Sequence, residues 1–153
     1  MIQRIQTVFL FLAIIALAAF NIFPYWQSAD ADESGLLLMS YGLASINEGT
    51  TVIEFGLYSI VAGISGLAII IVLIEIFKFK NRVVQMKLAI ANSFLMSINL
   101  ALMTYFVIIL QKEHVGGFGI GIFIYALAML LNILARRFIQ KDEKLVRSVD
   151  RLR

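Results

Sequence analysis

Few side chains in this sequence of 153 residues could carry chemistry, and they do not converge. Cysteine is absent and His114 is the single histidine, which excludes thiol redox chemistry, thiolate metal sites and ligation of haem or metal by several histidines. Glu75 is the one acidic residue inside a long apolar run, and a pair with Lys78 or extension of its side chain to the membrane interface accounts for it. Because acid–base and metal chemistry need convergent ionisable groups, we predict no enzyme activity, no cofactor and no metal site.

A row of amide and hydroxyl side chains lies on the third of four apolar stretches. Asn92 and Asn99 are one heptad apart and Ser93 lies beside them, while Asn132 lies in the fourth stretch. In lipid such side chains usually hydrogen-bond between helices, so we predict that the three asparagines are packing residues. A polar path for a substrate or an ion is the alternative, although no ionisable residue lies at mid-membrane depth, where transporters place them.

Small residues recur in the second apolar stretch at Gly56, Ser59, Gly63 and Gly66. The spacing of three, four and three residues puts them on one face of a helix, where small side chains let membrane helices approach closely. We predict packing within the bundle, with a homo-oligomer or partner face as the alternative. The glycines within Gly116–Gly121 are interpreted as a helix start.

The composition requires a membrane. Hydrophobic residues make up 61% of the chain and charged residues 15%, which is more apolar than one soluble core of this size can hide. The four apolar stretches are each about as long as the ~20 residues that cross a bilayer. We therefore predict an all-α membrane protein, a single domain over 1–153 with four transmembrane helices in a bundle, at about 5–23, 55–77, 84–111 and 117–138.

The basic residues gather at one end of these helices. Twelve of the thirteen precede helix one, lie within 78–87, or lie within 136–153, and Lys112 is the exception. This end also holds four acidic residues and so carries +8, whereas the other end carries −5, which together give the net charge of +3. The positive-inside rule predicts both termini in the cytoplasm.

The first apolar stretch could instead be a signal peptide, since Ala29-Asp30-Ala31 resembles a cleavage site. The apolar run is longer than in usual signal peptides, and Pro24-Tyr25-Trp26 is typical of a helix end with interfacial aromatic side chains. We expect the segment to be retained.

The predicted outer loop, 27–54, can form a small β-hairpin. Its strands would be Leu36–Ile46 and Thr50–Phe55, joined by a turn at Asn47-Glu48-Gly49. A lone hairpin is marginally stable in water, so it would need to pack on the helix ends or on a partner.

The segment 136–153 is predicted to be an amphipathic C-terminal helix that continues helix four or bends from it. Seven basic and three acidic residues give it a net charge of +4. Its larger apolar side chains share one arc of the helix, at Phe138, Ile139, Leu145, Val146, Val149 and Leu152, and the charged Asp142 and Arg153 also fall within this arc. Anchoring on anionic lipid is one role and docking of a protein another. Direct nucleic-acid binding is disfavoured, because acidic residues interrupt the basic ones.

Three segments carry a family resemblance: MIQRIQTVFLFLA at Met1–Ala13, IFKFKNRVVQMKL at Ile76–Leu88 and KDEKLVRSVDRLR at Lys141–Arg153. Together they resemble the bacterial membrane family catalogued as domain of unknown function 4293. The resemblance implies a four-helix protein of the bacterial inner membrane and no assigned activity. The layout is also similar in shape to claudin-like bundles, without their disulfide-bearing loop motif.

These features predict a non-catalytic membrane scaffold or accessory subunit. Its basic cytoplasmic face, 78–87 and 136–153, would bind anionic lipid or a cytoplasmic or membrane protein partner. The predicted contact residues are Arg4, Lys80, Arg82, Lys141, Lys144, Arg147 and Arg151. The alternative function is a small transporter or channel that uses Asn92, Ser93, Asn99 and Asn132.

Overall fold

The computed structural model describes residues 3–29, 34–47, 50–79 and 81–150, without the side chains at 3, 4, 34, 47 and 146–150. Its helices are α1 (Gln3–Phe20), α2 (Ser59–Phe77), α3 (Arg82–Leu110) and α4 (Ile120–Asp150). Its strands are β1 (Trp26–Ser28), β2 (Ser34–Met39), β3 (Gly42–Asn47), β4 (Thr50–Glu54) and β5 (Gly116–Phe118). The predicted all-α class is therefore wrong: helices and a five-stranded antiparallel sheet form the fold together.

The helices pack side by side, so that α1 and α3 each contact both α2 and α4. Three of them are long and apolar enough to cross a membrane, namely Ser59–Phe77, Arg82–Leu110 and Ile120–Leu145, while the apolar part of α1, Ile5–Phe20, is shorter. Large apolar side chains, such as Phe94 at 69% and Phe123 at 67%, remain exposed on the outer helix faces. Surfaces of this kind suit lipid rather than water, and the chain is a membrane protein.

The sheet is much larger than the predicted hairpin, and its strands follow the order β4-β3-β2-β1-β5. The predicted strand Leu36–Ile46 is divided by a turn at Ser40 and Tyr41 into β2 and β3, which pair with Met39 opposite Gly42. Glycine suits position 42, because a Cβ there would lie 2.6 Å from the Glu54 carbonyl oxygen. Where the sequence predicts the hairpin turn, Asn47 pairs with Thr50 across β3 and β4.

The sheet covers one end of the helices, which we call the sheet end, because its strands join the end of α1 to the start of α2 and the end of α3 to the start of α4. Tyr25 and Trp26, for which the sequence predicts interfacial aromatic side chains at a helix end, are fully buried in the same core cluster as Phe20. The β2–β3 turn also contacts the first turn of α2, because Ser59 Oγ donates a hydrogen bond to the Tyr41 carbonyl at 2.5 Å. The sheet is thus part of the same core as the helices.

The glycine cluster at 116–121 forms a strand before it forms a helix. Gly116–Phe118 pairs with β1, and α4 begins only at Ile120. A Cβ on Gly119 would collide with the Pro24 carbonyl oxygen, and one on Gly121 would lie 2.8 Å from the Phe23 and Pro24 carbonyl oxygens. These glycines let the start of α4 approach the link between α1 and β1.

The helix α4 runs unbroken for 31 residues, so within the described residues no separate C-terminal helix exists. At about 1.5 Å per residue it is roughly 46 Å long, well beyond a bilayer core of about 30 Å. Part of the predicted apolar arc packs on α1: Phe138 stacks on Phe9 with ring centroids 5.2 Å apart, and Ile139 is fully buried.

Candidate functional site

The end of the helices opposite the sheet is basic, and we call it the basic end. Gln85 of α3 contacts Glu75 of α2, which places the end of α2 beside the start of α3. Asn132 of α4 contacts Ala89 of α3, so the two run antiparallel and the second half of α4 reaches the same end. Among the side chains that the structure describes, five cationic ones are exposed there: Lys78, Lys87, Arg137, Lys141 and Lys144.

The predicted contact residues divide into three groups. Lys141 and Lys144 are exposed on α4, whereas Arg82 at the start of α3 is half-buried and its Nη1 is buried without a hydrogen-bond partner. Arg4 and Arg147 lie on α1 and α4, but their side chains are outside the described structure, as are Lys80 and Arg151 altogether.

Several polar groups are buried beneath the basic end, and they are not among the predictions from the sequence. Gln6 of α1 is 4% exposed and Asp142 of α4 is 6% exposed, while Arg136 has a buried Nε without a partner. One signal was available in the sequence, because Asp142 falls inside the apolar arc of the tail. A polar residue on an apolar helix face indicates a buried polar contact rather than a surface position.

Glu75 lies inside the protein rather than at its surface. Its side chain is 0% exposed, and neither carboxylate oxygen has a hydrogen-bond partner. Lys78, which the sequence suggests as its partner, is exposed. The carboxyl group is therefore neither paired with Lys78 nor extended to the surface, although the sequence predicts one or the other.

The structure brings the predicted polar row together between α3 and α4. Asn92 Nδ2 donates to Asn132 Oδ1 at 3.4 Å, and Asn132 Nδ2 donates to Ser93 Oγ at 3.0 Å. Asn99 Nδ2 instead donates to the Val61 carbonyl of α2 at 3.2 Å. The side-chain oxygens of Asn92 and Asn99 are buried without a partner.

The small-residue stripe at Gly56, Ser59, Gly63 and Gly66 does not make a close helix contact among the described residues. A Cβ on Gly56, which precedes α2, or on Gly63 or Gly66 would meet no atom within 4 Å. Ser59 donates its hydrogen bond to the β2–β3 turn. Gly63 and Gly66 therefore leave this face of α2 open within the described structure.

His114 is exposed in the turn after α3. Among the residues that the structure describes, no three histidine, aspartate or glutamate side chains gather as metal ligands would. The described residues thus present exposed positive charge at the basic end and buried polar contacts along the helices.

The sequence matches the family model described as domain of unknown function 4293 over residues 2–152, nearly the whole chain, which confirms the predicted resemblance. No curated protein matches the chain.

Proposed function

The chain belongs to the family described as domain of unknown function 4293, and we propose that it is a non-catalytic scaffold or accessory subunit. It would lie in the inner membrane of a bacterium with both termini in the cytoplasm. Its basic end would then face the cytoplasm and bind an acidic protein partner next to the anionic lipid headgroups.

The extension of α4 beyond the end of α2 and the start of α3 is the observation that carries this proposal. Since Asn132 contacts Ala89 and Asn92, the start of α3 at Arg82 lies level with about residue 140 of α4. The described helix continues from there to Asp150, which is about ten further residues or roughly 15 Å. Lys141 and Lys144 are exposed on this segment. Its opposite side lies along the start of α1, since Phe138 stacks on Phe9 and Asp142 is 6% exposed.

The apolar arc of the tail supports a projecting rather than a lipid-anchored segment. Phe138 and Ile139, the first residues of that arc, pack on α1 and within the core, so they are not free to enter a membrane surface. An amphipathic anchor depends on a continuous apolar face in the headgroup region. Beyond them, the exposed side chains of the described segment are the cationic Lys141 and Lys144 and the apolar Leu145.

A charge reversal of the projecting segment tests the scaffold function. The double variant Lys141→Glu, Lys144→Glu of the full chain is expected to lose the proteins that crosslink to the wild type in its native membrane. Lys112→Glu is the matched control, because Lys112 is an exposed lysine at the sheet end. An unchanged set of crosslinked proteins in the double variant would contradict the proposal.

A small transporter or channel is a second candidate, and one observation favours it. Gln85, Asn92 and Asn99 follow one another at heptad spacing on α3, and each has a buried side-chain oxygen without a partner. A line of unpaired oxygens along one helix face could receive water or a cation.

A flux assay on liposomes tests this second candidate. Asn92→Leu and Asn99→Leu are expected to abolish flux, whereas Ser97→Ala, at an exposed position of the same helix, is expected to leave it intact. Absence of flux through the wild-type protein would contradict a transport function.

A further inference from the structure

We propose that Glu75 is a cation-binding site inside the protein, which takes up a proton or a small monovalent metal ion at its carboxylate. Glu75 lies two residues before the end of α2 and is 0% exposed. In membrane proteins an ionisable side chain at such a position marks a functional site by default. The inference does not depend on the scaffold function.

Glu75 and Gln85, which are in contact across α2 and α3, both carry side-chain oxygens that lack a hydrogen-bond donor. Gln85 Nε2 already donates to the Glu75 backbone carbonyl at 2.8 Å. This leaves Gln85 Oε1 and both oxygens of Glu75 buried and unpartnered. Three oxygens on two neighbouring helices thus have no hydrogen-bond donor, and a buried carboxylate without a partner is strongly disfavoured.

A positive ion is the ligand that this set of oxygens can accept. A proton on Glu75 would turn one carboxylate oxygen into a donor toward Gln85 Oε1, so that a single proton would satisfy two acceptors. A small metal ion would be held by the same oxygens, since carboxylate and amide oxygens are the ligands of hard cations. Both ligands supply the same missing positive charge.

The nearby charged side chains do not supply that charge. On its own helix Lys78 is exposed, and on α1 the described neighbours at this level, Gln6 and Thr7, are uncharged. On α3 the guanidinium of Arg82 has a buried Nη1 without a partner, so it does not donate to the carboxylate through that atom. Lys87 is exposed.

The helix α4 does not pack extensively on α2, but it carries two more charged groups at the basic end. Arg136 has a buried Nε without a partner, and Asp142 is 6% exposed. Both carboxylate oxygens of Glu75 remain without any hydrogen-bond partner. No described side chain of the other three helices therefore hydrogen-bonds to the Glu75 carboxylate.

A groove lies next to this site between α1 and α2. It has a volume of about 540 Å³ and is lined by Gln6, Thr7 and Ile76, together with the exposed apolar side chains Val8, Phe11 and Leu12. Glu75 does not line the groove, but Ile76, which follows it directly, does. An apolar reagent dissolved in the membrane can enter this groove and reach the residue next to Glu75.

Labelling with a hydrophobic carbodiimide tests the site, because dicyclohexylcarbodiimide partitions into lipid and reacts with protonated carboxyl groups. The wild-type protein in liposomes would be treated over a range of pH, with sodium, potassium or choline chloride, and the modified residue identified by mass spectrometry. We expect Glu75 to be modified and its labelling to fall as pH rises.

The salts distinguish the two ligands. Labelling that responds to pH alone supports a proton site, and labelling that sodium or potassium suppresses relative to choline supports a metal-ion site. Glu75→Gln is expected to lose the modification, whereas Glu54→Gln, at an exposed position of the sheet, is expected to retain it. Glu75 that stays unmodified at every pH, or is modified equally under all conditions, overturns the proposal. Since the readout is on the wild-type chain, it does not depend on the folding of a variant.

Discussion

Tyr25 shows what the burial of a single hydroxyl group does in this molecule. The residue lies between α1 and β1, outside the helices that can cross the membrane, and it is 0% exposed. Its hydroxyl group is buried without a hydrogen-bond partner. Burial raises the pKa of the Tyr25 hydroxyl above its ordinary value, and the nearby Tyr58 adds to this effect.

The variant Tyr25→Phe is therefore expected to be at least as stable as the wild type. Removing an unpaired buried hydroxyl should raise the free energy of unfolding by about 1 kcal/mol. Because the pKa is raised in the folded state, the wild type loses stability as pH rises above about 10, where the unfolded tyrosine ionises first. The variant should lose less over this alkaline range.

Thermal unfolding in detergent, at neutral and at alkaline pH, measures both effects. Tyr105→Phe is the matched control, because Tyr105 is 57% exposed and its removal should change neither value. A clear loss of stability at neutral pH in Tyr25→Phe would mean that the hydroxyl group has a partner after all.

At the scale of the elements, the glycines fall into two groups that cannot be distinguished from the sequence: those packed against backbone atoms and those with open space around them. Gly119 and Gly121 lie against backbone atoms of Phe23 and Pro24, where a side chain does not fit. Gly63 on α2 has open space around the position of a Cβ. The first kind is required by the contact between the start of α4 and the link that precedes β1, and the second is not required by any contact among the described residues.

This difference predicts opposite effects of the same substitution. Gly121→Ala should cost about 1–3 kcal/mol of stability, because the added methyl group meets backbone that must shift. Gly63→Ala should gain about 0.5–1 kcal/mol, because alanine favours a helix over glycine. Thermal unfolding of both variants in the same detergent provides the comparison. A comparable loss in Gly63→Ala would indicate that this face of α2 is covered by another chain.

At the scale of the whole molecule, charge and secondary structure are divided between the two ends of the helices. The sheet end carries β1 to β5, and the basic end carries the exposed cations Lys78, Lys141 and Lys144. Apolar helix faces lie between the two ends. With the basic end in the cytoplasm, as proposed, the sheet lies on the opposite side of the membrane.

Single cysteines test this orientation cleanly, because the sequence contains no cysteine. In intact cells a membrane-impermeant maleimide should modify Glu54→Cys but not Lys144→Cys, and both should react after permeabilisation. The cysteine-free parent chain gives the background. Modification of Lys144→Cys in intact cells would reverse the proposed orientation, and with it the cytoplasmic partner.

The sequence by itself determined those features that depend on local composition. The apolar runs of α2, α3 and α4 are unbroken and long enough to cross a bilayer, so their approximate positions follow from hydropathy alone. The family was likewise recognisable from three short segments at the termini and at the α2–α3 link. Such local patterns can be recognised without knowing which other segments the helices contact.

Only the tertiary structure decided the sheet and the environment of Glu75. The strands β1 and β5 have three residues each, and they pair although the segments lie about 90 residues apart, so no local pattern marks them. The sequence places Glu75 near the end of α2, but whether its side chain meets lipid, water or α3 depends on how the helix is rotated in the bundle. Contacts between distant segments set that rotation, and they bury a carboxylate that the sequence alone explains by a pair with Lys78 or by extension to the interface.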